Sequence, residues 1–237
     1  MTSLRTGTIT VGVAGESAMQ AFVARPRDAG PHPGLLLFQE AFGVNAHIRD
    51  VAGRCAAAGY NTVAPELFHR TGPGFEGDYD DFESVRPHMA ALTIEGLEAD
   101  IRTTYQWLTQ DPSTDPGRIV AVGFCLGGRV AFLANLVVPL AASASFYGRG
   151  IAPELLPRLG ELHGPTLCAW GGQDQHIGLA NPRALADALI AAGKTHVHVE
   201  FSDAGHGFYC DARKSYHPAA AREAWALTLD FLHRATH

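Results

Sequence analysis

The sequence is short of the features that mark several whole classes of protein. Four cysteines (Cys55, Cys125, Cys168 and Cys210) among 237 residues are too few and too scattered for a disulfide scaffold, and no C-x-x-C pair suggests a zinc site. No Lys/Arg cluster of the nucleic-acid-binding kind occurs, and 18 Lys plus Arg against 24 Asp plus Glu leave a net charge of −6, which argues against a nucleic-acid partner. Met1 to Thr10 holds one early Arg and no apolar core of signal-peptide length. The longest apolar stretch, Val130 to Tyr147, is broken by Asn135 and Pro139, so it reads as helix, turn and strand rather than as a membrane span. Together these absences predict a soluble, cytoplasmic protein with neither nucleic acid nor membrane as partner. Internal repeats, low-complexity tracts and charge blocks are missing as well, which predicts one domain over residues 1–237. Nothing in the sequence sets an oligomeric state.

What is present is an alternation of two hydrophobic periods. Thr6 to Val13 and Met19 to Arg25, separated by Ala14-Gly15-Glu16-Ser17, predict an antiparallel hairpin. Leu35 to Phe38 is a continuous apolar run of buried-strand type. A helix follows from about Ala46, with Ile48, Val51, Cys55 and Ala58 on one face and Gly59 as its stop. Further strands are predicted at Tyr60 to Ala64, Arg118 to Phe124, Leu140 to Tyr147, Pro165 to Trp170 and Thr195 to Phe201. Helices are predicted at Thr93 to Thr109, Gly127 to Val137, Asn181 to Ala192 and from Pro218 onward. The expected architecture is α/β, a mainly parallel sheet of about eight strands with an antiparallel N-terminal hairpin and helices on both faces. In such a sheet the ligand site lies beyond the carboxyl ends of the strands.

Three of the loops there carry reactive side chains. Gly123-Phe124-Cys125-Leu126-Gly127-Gly128 follows a strand, opens a helix, and fits the nucleophile-elbow pattern G-x-S-x-G with Cys as the central residue. A helix N-terminus favours a thiolate and an adjacent oxyanion. The competing reading is a buried core cysteine in a glycine-rich turn. A dinucleotide-binding reading fails because G-x-G-x-x-G needs Gly where Cys125 stands, and no acidic residue ends the next strand. Gly171-Gly172-Gln173-Asp174 follows the next-to-last strand, where an acid can orient an imidazole, although a lone Asp174 would serve as a turn or capping residue. Asp203-Ala204-Gly205-His206-Gly207-Phe208 follows the last strand, and by itself His206 could be a surface histidine. Taken together, Cys125, Asp174 and His206 stand in the order nucleophile, acid, histidine. His196 and His198 share a strand face but lack a third ligand, and Cys55 and Cys168 read as core.

These residues resemble the dienelactone hydrolases (carboxymethylenebutenolidases), cysteine-based members of the α/β-hydrolase fold. The matching pieces are the elbow, Gln39-Glu40-Ala41-Phe42-Gly43-Val44-Asn45, Pro65-Glu66-Leu67-Phe68, Gly171-Gly172-Gln173-Asp174 and Ala204-Gly205-His206-Gly207-Phe208, which span nearly the whole chain. The resemblance implies hydrolysis of an enol-lactone or related small ester through a Cys125 thioester, with His206 as acid and base and Asp174 as its orienting partner. It implies an oxyanion hole from the N–H groups of Leu126 and Ala41, a part for Glu40 in activating the thiol, and no metal or organic cofactor. The sequence departs from the family where substrate carboxylate is held. One of two expected arginines is replaced by Cys210, and the other falls in the region Thr71 to His88, with Arg86 the first candidate and Arg70 the second. Tyr147 is a candidate pocket residue, and Arg213 could compensate for Cys210. Two alternatives stand beside this reading: a general carboxylesterase or thioesterase for neutral acyl groups, and a non-catalytic binding protein on a hydrolase fold.

Overall fold

A computed structural model describes residues 4–13, 15, 18–28 and 30–237. Ala14, Glu16 and Ser17 of the predicted hairpin turn, and Met1 to Ser3 of the N-terminal segment, lie outside the described residues. Eight strands form one mixed sheet in the order β1-β2-β4-β3-β5-β6-β7-β8. The chain divides into two compact units, residues 1–120 and 121–237.

In the first unit, β1 (Arg5–Val11) pairs antiparallel with β2 (Met19–Arg25), in a register running from Arg5 opposite Arg25 to Val11 opposite Met19. β2 pairs antiparallel with β4 (Asn61–Pro65), and β4 pairs parallel with β3 (His32–Phe38). All five residues of β4 and six of the seven in β3 are buried, as expected of strands covered on both faces. α1 (Ala46–Ala57) begins where the Asn45 side chain accepts the Ile48 N–H at 3.2 Å. It ends in a Schellman motif: Gly59 at φ +98° donates to Ala56, and the Tyr60 N–H reaches the Cys55 carbonyl at 3.1 Å.

α2 (Phe82–Ala90) and α3 (Ile94–Gln110) follow. No helix is expected from the sequence where α2 lies, and its pattern is weak for a physical reason: Val85 is its one buried residue and Pro87 sits inside it. On α3, Leu97, Ile101, Thr104 and Leu108 face inward, together with a charge, Asp100. Asp100 and His69 have fully buried side chains, with His69 Nε2 at 3.1 Å from the carboxylate, while Arg70 donates to both of its oxygens at 2.8 Å. This cluster ties the segment after β4 to α3.

β5 (Thr114–Phe124) starts four residues earlier than predicted, because Pro116 and Gly117 disguise a strand end that Asp115 stabilises by accepting the Gly117 N–H. The second unit continues with α4 (Leu126–Val137), β6 (Ala142–Phe146), a 3-10 helix over Leu156–Glu161, β7 (Thr166–Gly171), α5 (Ala180–Ala191), β8 (His196–Phe201) and α6 (Pro218–Thr236). β6, β7 and β8 run parallel. Every residue of α4 except Arg129 is buried, so it behaves as a core helix rather than an amphipathic one. Among the described residues no helix is long and apolar enough to cross a membrane.

Removing one partner of a buried charge cluster leaves the others desolvated and unpaired. Asp100→Ala is therefore expected to lower unfolding free energy by about 3 kcal/mol, read as a shift of the urea midpoint at unchanged slope.

Candidate active site

A tight turn joins β5 to α4. Cys125 sits there at φ +55°, in the region of backbone space that L-residues avoid. Its N–H donates to the Phe146 carbonyl at 3.0 Å, and its carbonyl accepts the Gly128 N–H at 3.0 Å. The flanking glycines are sterically required: a Cβ on Gly123 would collide with the Gly127 carbonyl, and one on Gly128 would lie 2.5 Å from the Phe146 carbonyl oxygen. The turn thus presents the Cys125 thiol at the N-terminus of α4. Leu126 is the first helical residue, so its N–H is among those with no partner within the helix.

Two further loops meet this thiol because they are hydrogen-bonded to each other. Gly172 N–H donates to Phe201 at 2.8 Å and Gln173 N–H to Ala204 at 2.9 Å. Close approach is possible because residues 171 and 172 have no side chain; a Cβ on Gly171 would lie 2.5 Å from the Ala204 carbonyl oxygen. Asp174 is thereby fixed. Its Oδ1 accepts the N–H groups of His176 at 2.8 Å and Ile177 at 3.1 Å, while Oδ2 lies 2.7 Å from His206 Nδ1. On the other side of the imidazole, His206 Nε2 lies 3.2 Å from Cys125 Sγ.

The electrostatics follow from burial against hydrogen bonding. Burial alone would raise the Asp174 carboxyl, but the bonds from His206 and from the His176 and Ile177 N–H groups outweigh it and hold the group below the usual carboxylate range. Burial alone would deprotonate His206, but Asp174 and Cys125 on either side overcome it and carry its pKa up to about 10. At neutral pH the imidazole holds both protons, donating one to the carboxylate and one toward the sulfur.

The structure thus brings Cys125, His206 and Asp174 into one hydrogen-bonded series. It also places the Tyr147 ring 5.1 Å from the His206 ring, in a side chain with no exposed surface. Cys210 is likewise fully buried. Arg213 folds its guanidinium against Gly207, whose φ of +77° and lack of a Cβ give it room. His176, absent from the sequence-based site, stands with its ring 5.3 Å from His206; the only signal for it was its position two residues after Asp174, where an Asx-type turn places a donor. Burial pushes the Cys55 and Cys168 thiols up to about 12, in keeping with unreactive core cysteines.

In the first unit, Glu40 and Ala41 lie on the loop leaving β3, and both are buried. Gln39 anchors that loop by accepting the Leu67 N–H at 3.1 Å, and Asn45 anchors it by donating to the Tyr79 hydroxyl at 2.9 Å. Gly43 at φ +81° passes so close to the Phe75 carbonyl that no side chain fits. Phe42, the residue after Ala41, packs edge-on against Tyr79 at 4.7 Å. Of the candidate arginines, Arg70 spends its guanidinium on Asp100 and Arg86 pairs with Glu83 on the exposed face of α2.

An eight-stranded mixed sheet with a cysteine at the strand-to-helix elbow, and an acid and a histidine on the last two strand loops, defines an α/β-hydrolase. The model of the dienelactone hydrolase family matches residues 19–236. A carboxymethylenebutenolidase homologue of Synechocystis sp. is 33% identical over 214 residues, covering 86% of this chain and 87% of its own. The carboxymethylenebutenolidase of Pseudomonas putida is 30% identical over 215 residues, covering 90% and 89%. The crystal structure of a dienelactone hydrolase homologue from Klebsiella pneumoniae superposes with a TM-score of 0.90 at 30% identity, over 98% of this chain and 99% of that one. The chain belongs to the dienelactone hydrolase family. It is accordingly an enzyme, a dienelactone hydrolase-like hydrolase.

The pKa shifts fix a pH dependence of stability. His206 is raised from 6.5 to about 10, so its contribution is complete below about pH 6.5 and is lost as pH climbs through 10. Asp174 is lowered, so its contribution is present above the ordinary carboxylate pKa and is lost as pH falls through the depressed one. Urea midpoints of the wild type should therefore fall between pH 7 and 10 more steeply than those of His206→Gln. Parallel curves would show that the imidazole gains no proton affinity on folding.

Proposed function

We propose that the chain, acting as a single domain of residues 1–237, hydrolyses a lactone or small carboxylic ester through a thioester on Cys125. The observation that carries this reading is the bridging position of His206, 2.7 Å from Asp174 Oδ2 and 3.2 Å from Cys125 Sγ, which is the geometry a nucleophile, its proton carrier and an orienting acid require. The Cys125 thiolate attacks the substrate carbonyl and forms a C–S bond. The developing oxyanion is held by the Leu126 N–H at the α4 N-terminus and, by family resemblance, by the Ala41 N–H. Collapse breaks the C–O bond, and the leaving oxygen takes the proton from His206 Nε2. The neutral imidazole then removes a proton from water as it attacks the thioester, and the thiolate leaves, releasing the carboxylic acid. The scheme uses no metal ion and no organic cofactor. Glu40 is assigned a part in thiol activation on the same resemblance; its burial makes a carboxylate there strongly felt by any neighbouring charge.

The favoured substrate is a neutral ester or lactone rather than a carboxylated one. The position expected to carry an arginine is the buried thiol Cys210, a weak donor, and Arg70 and Arg86 are engaged with carboxylates of this chain. Arg213 is the remaining candidate cation near His206.

Cys125→Ala should lower turnover of a chromogenic acetate ester by about 10⁴-fold or more, with His206→Ala costing nearly as much because the members act as a unit. Iodoacetamide should inactivate the wild type by modifying Cys125 alone. Glu40→Gln should cost roughly tenfold, about 1.4 kcal/mol in barrier. Near-normal activity in Cys125→Ala would refute the mechanism. For substrate choice, kcat/KM for a carboxylated lactone and its methyl ester should differ by less than about tenfold, since a desolvated charge-assisted contact would contribute about 1.5–3 kcal/mol. A strong preference for the acid that vanishes in Arg213→Ala would reverse this conclusion and identify the cation.

A further inference from the structure

Cys125 and Tyr147 are the two residues other than glycine with positive φ among those described, at +55° and +40°. They lie on turns packed against each other. The Phe146 carbonyl receives the Cys125 N–H, a Cβ on Gly128 would lie 3.0 Å from Gly148 Cα, and a Cβ on Gly148 would lie 2.8 Å from the Arg129 nitrogen. The chain leaving β6 must therefore turn away from the first turn of α4, and it does so at Tyr147, whose own N–H is tied to the Ala169 carbonyl at 2.8 Å. A bulky residue in this conformation persists only where its surroundings over-determine it, and such strain gathers at functional sites.

The strain places an aromatic ring against the imidazole. Tyr147 has no exposed surface; its ring lies 5.1 Å from that of His206 and 5.2 Å from Phe208, two residues further along the same loop. With His206 hydrogen-bonded at both nitrogens, the remaining freedom of the imidazole is rotation and tilt out of the line between Asp174 and Cys125. A fully buried ring in edge or tilted contact removes that freedom by occupying the space into which the imidazole would swing.

We propose that Tyr147 is a positioning residue for the reaction, whose ring confines His206 to the orientation that bridges Asp174 and Cys125. The proposal rests on the reading of Cys125 and His206 as nucleophile and proton carrier. It replaces the expected substrate contact of Tyr147 with an action through His206, since a side chain without accessible surface presents nothing to a bound ester. The proton held on Nε2 has to be delivered to the leaving oxygen and later recovered from water, so a small misplacement of the ring affects both half-reactions.

The decisive variant is Tyr147→Gly, because glycine adopts positive φ without strain, so the turn is kept while the side chain is lost. It is expected to fold, to keep KM within a few-fold, and to lose about 10- to 100-fold in kcat, the scale of a misplaced catalytic group. The pH dependence of Cys125 alkylation by iodoacetamide should move upward by about one unit, because a wandering imidazolium stabilises the thiolate less. Tyr147→Phe should restore both properties. Unchanged kcat and an unchanged alkylation profile in Tyr147→Gly would overturn the proposal, and equal damage in Tyr147→Phe would overturn its assignment to the ring. Whether alkylation of Cys125 abolishes turnover of the wild type tests the underlying mechanism separately.

Discussion

The elbow between β5 and α4 leaves no space for a side chain at residue 123 or 128, and most of what is chemically useful in the second unit follows from that steric limit. Cys125 is forced to positive φ because the strand must turn into a helix while its N–H still reaches the Phe146 carbonyl. Such a conformation costs about 1–3 kcal/mol, and α4, buried along nearly its whole length, supplies the packing that offsets it. The thiol thereby stands clear of its own strand, at the positive end of a helix, beside the N–H of the first helical residue, which has no partner within the helix.

The second constraint is electrostatic and depends on the first. His206 reaches the sulfur because the loops after β7 and β8 are laced together by backbone hydrogen bonds across glycines. Asp174 reaches His206 because its other oxygen is held by two backbone N–H groups. His206 does most to keep the carboxylate ionised in spite of burial, and the two N–H groups add to it. The carboxylate and the Cys125 sulfur in turn let the imidazole keep its second proton in spite of burial. The result is an imidazole fixed by Asp174 on one side and directed at the Cys125 sulfur on the other. Each partner's charge is tolerated in the interior only because the other is present.

The strands and long helices were legible in the sequence because their apolar periods are strong, as in the unbroken Leu35 to Phe38 run or the Leu97, Ile101, Leu108 stripe. α2 was not, since a nine-residue helix with one buried side chain and an internal proline carries almost no period to detect. The same applies to the first residues of β5, where Pro116 and Gly117 read as a turn. At the site, the local motif around Cys125 and the chain order of Asp174 and His206 were legible because each sits in a short signature after a strand. The partnership of Arg70 with Asp100, thirty residues apart, was invisible to any local reading, and so was the backbone conformation of Tyr147, because an ordinary residue gives no sign that its φ will be positive.

The choice of sulfur at the elbow bears on which substrates this site can turn over. On the thioester mechanism proposed above, two groups compete to leave the tetrahedral adduct with Cys125, and a thiolate is less basic than an ordinary alkoxide, so the adduct with a simple alkyl ester tends to revert. Two features of the site and substrate can reverse that preference. One is a leaving oxygen whose anion is itself stabilised, as in an enol lactone or an aryl ester; the other is prompt delivery of a proton to that oxygen. On the proposed mechanism the raised pKa of His206, which rests in part on the Cys125 sulfur beside it, falls when the C–S bond forms, so the imidazolium becomes a readier donor just as the leaving oxygen needs its proton. The two features therefore divide the work: enolates and phenolates depart by their own stability, and more basic oxygens depart by protonation from His206.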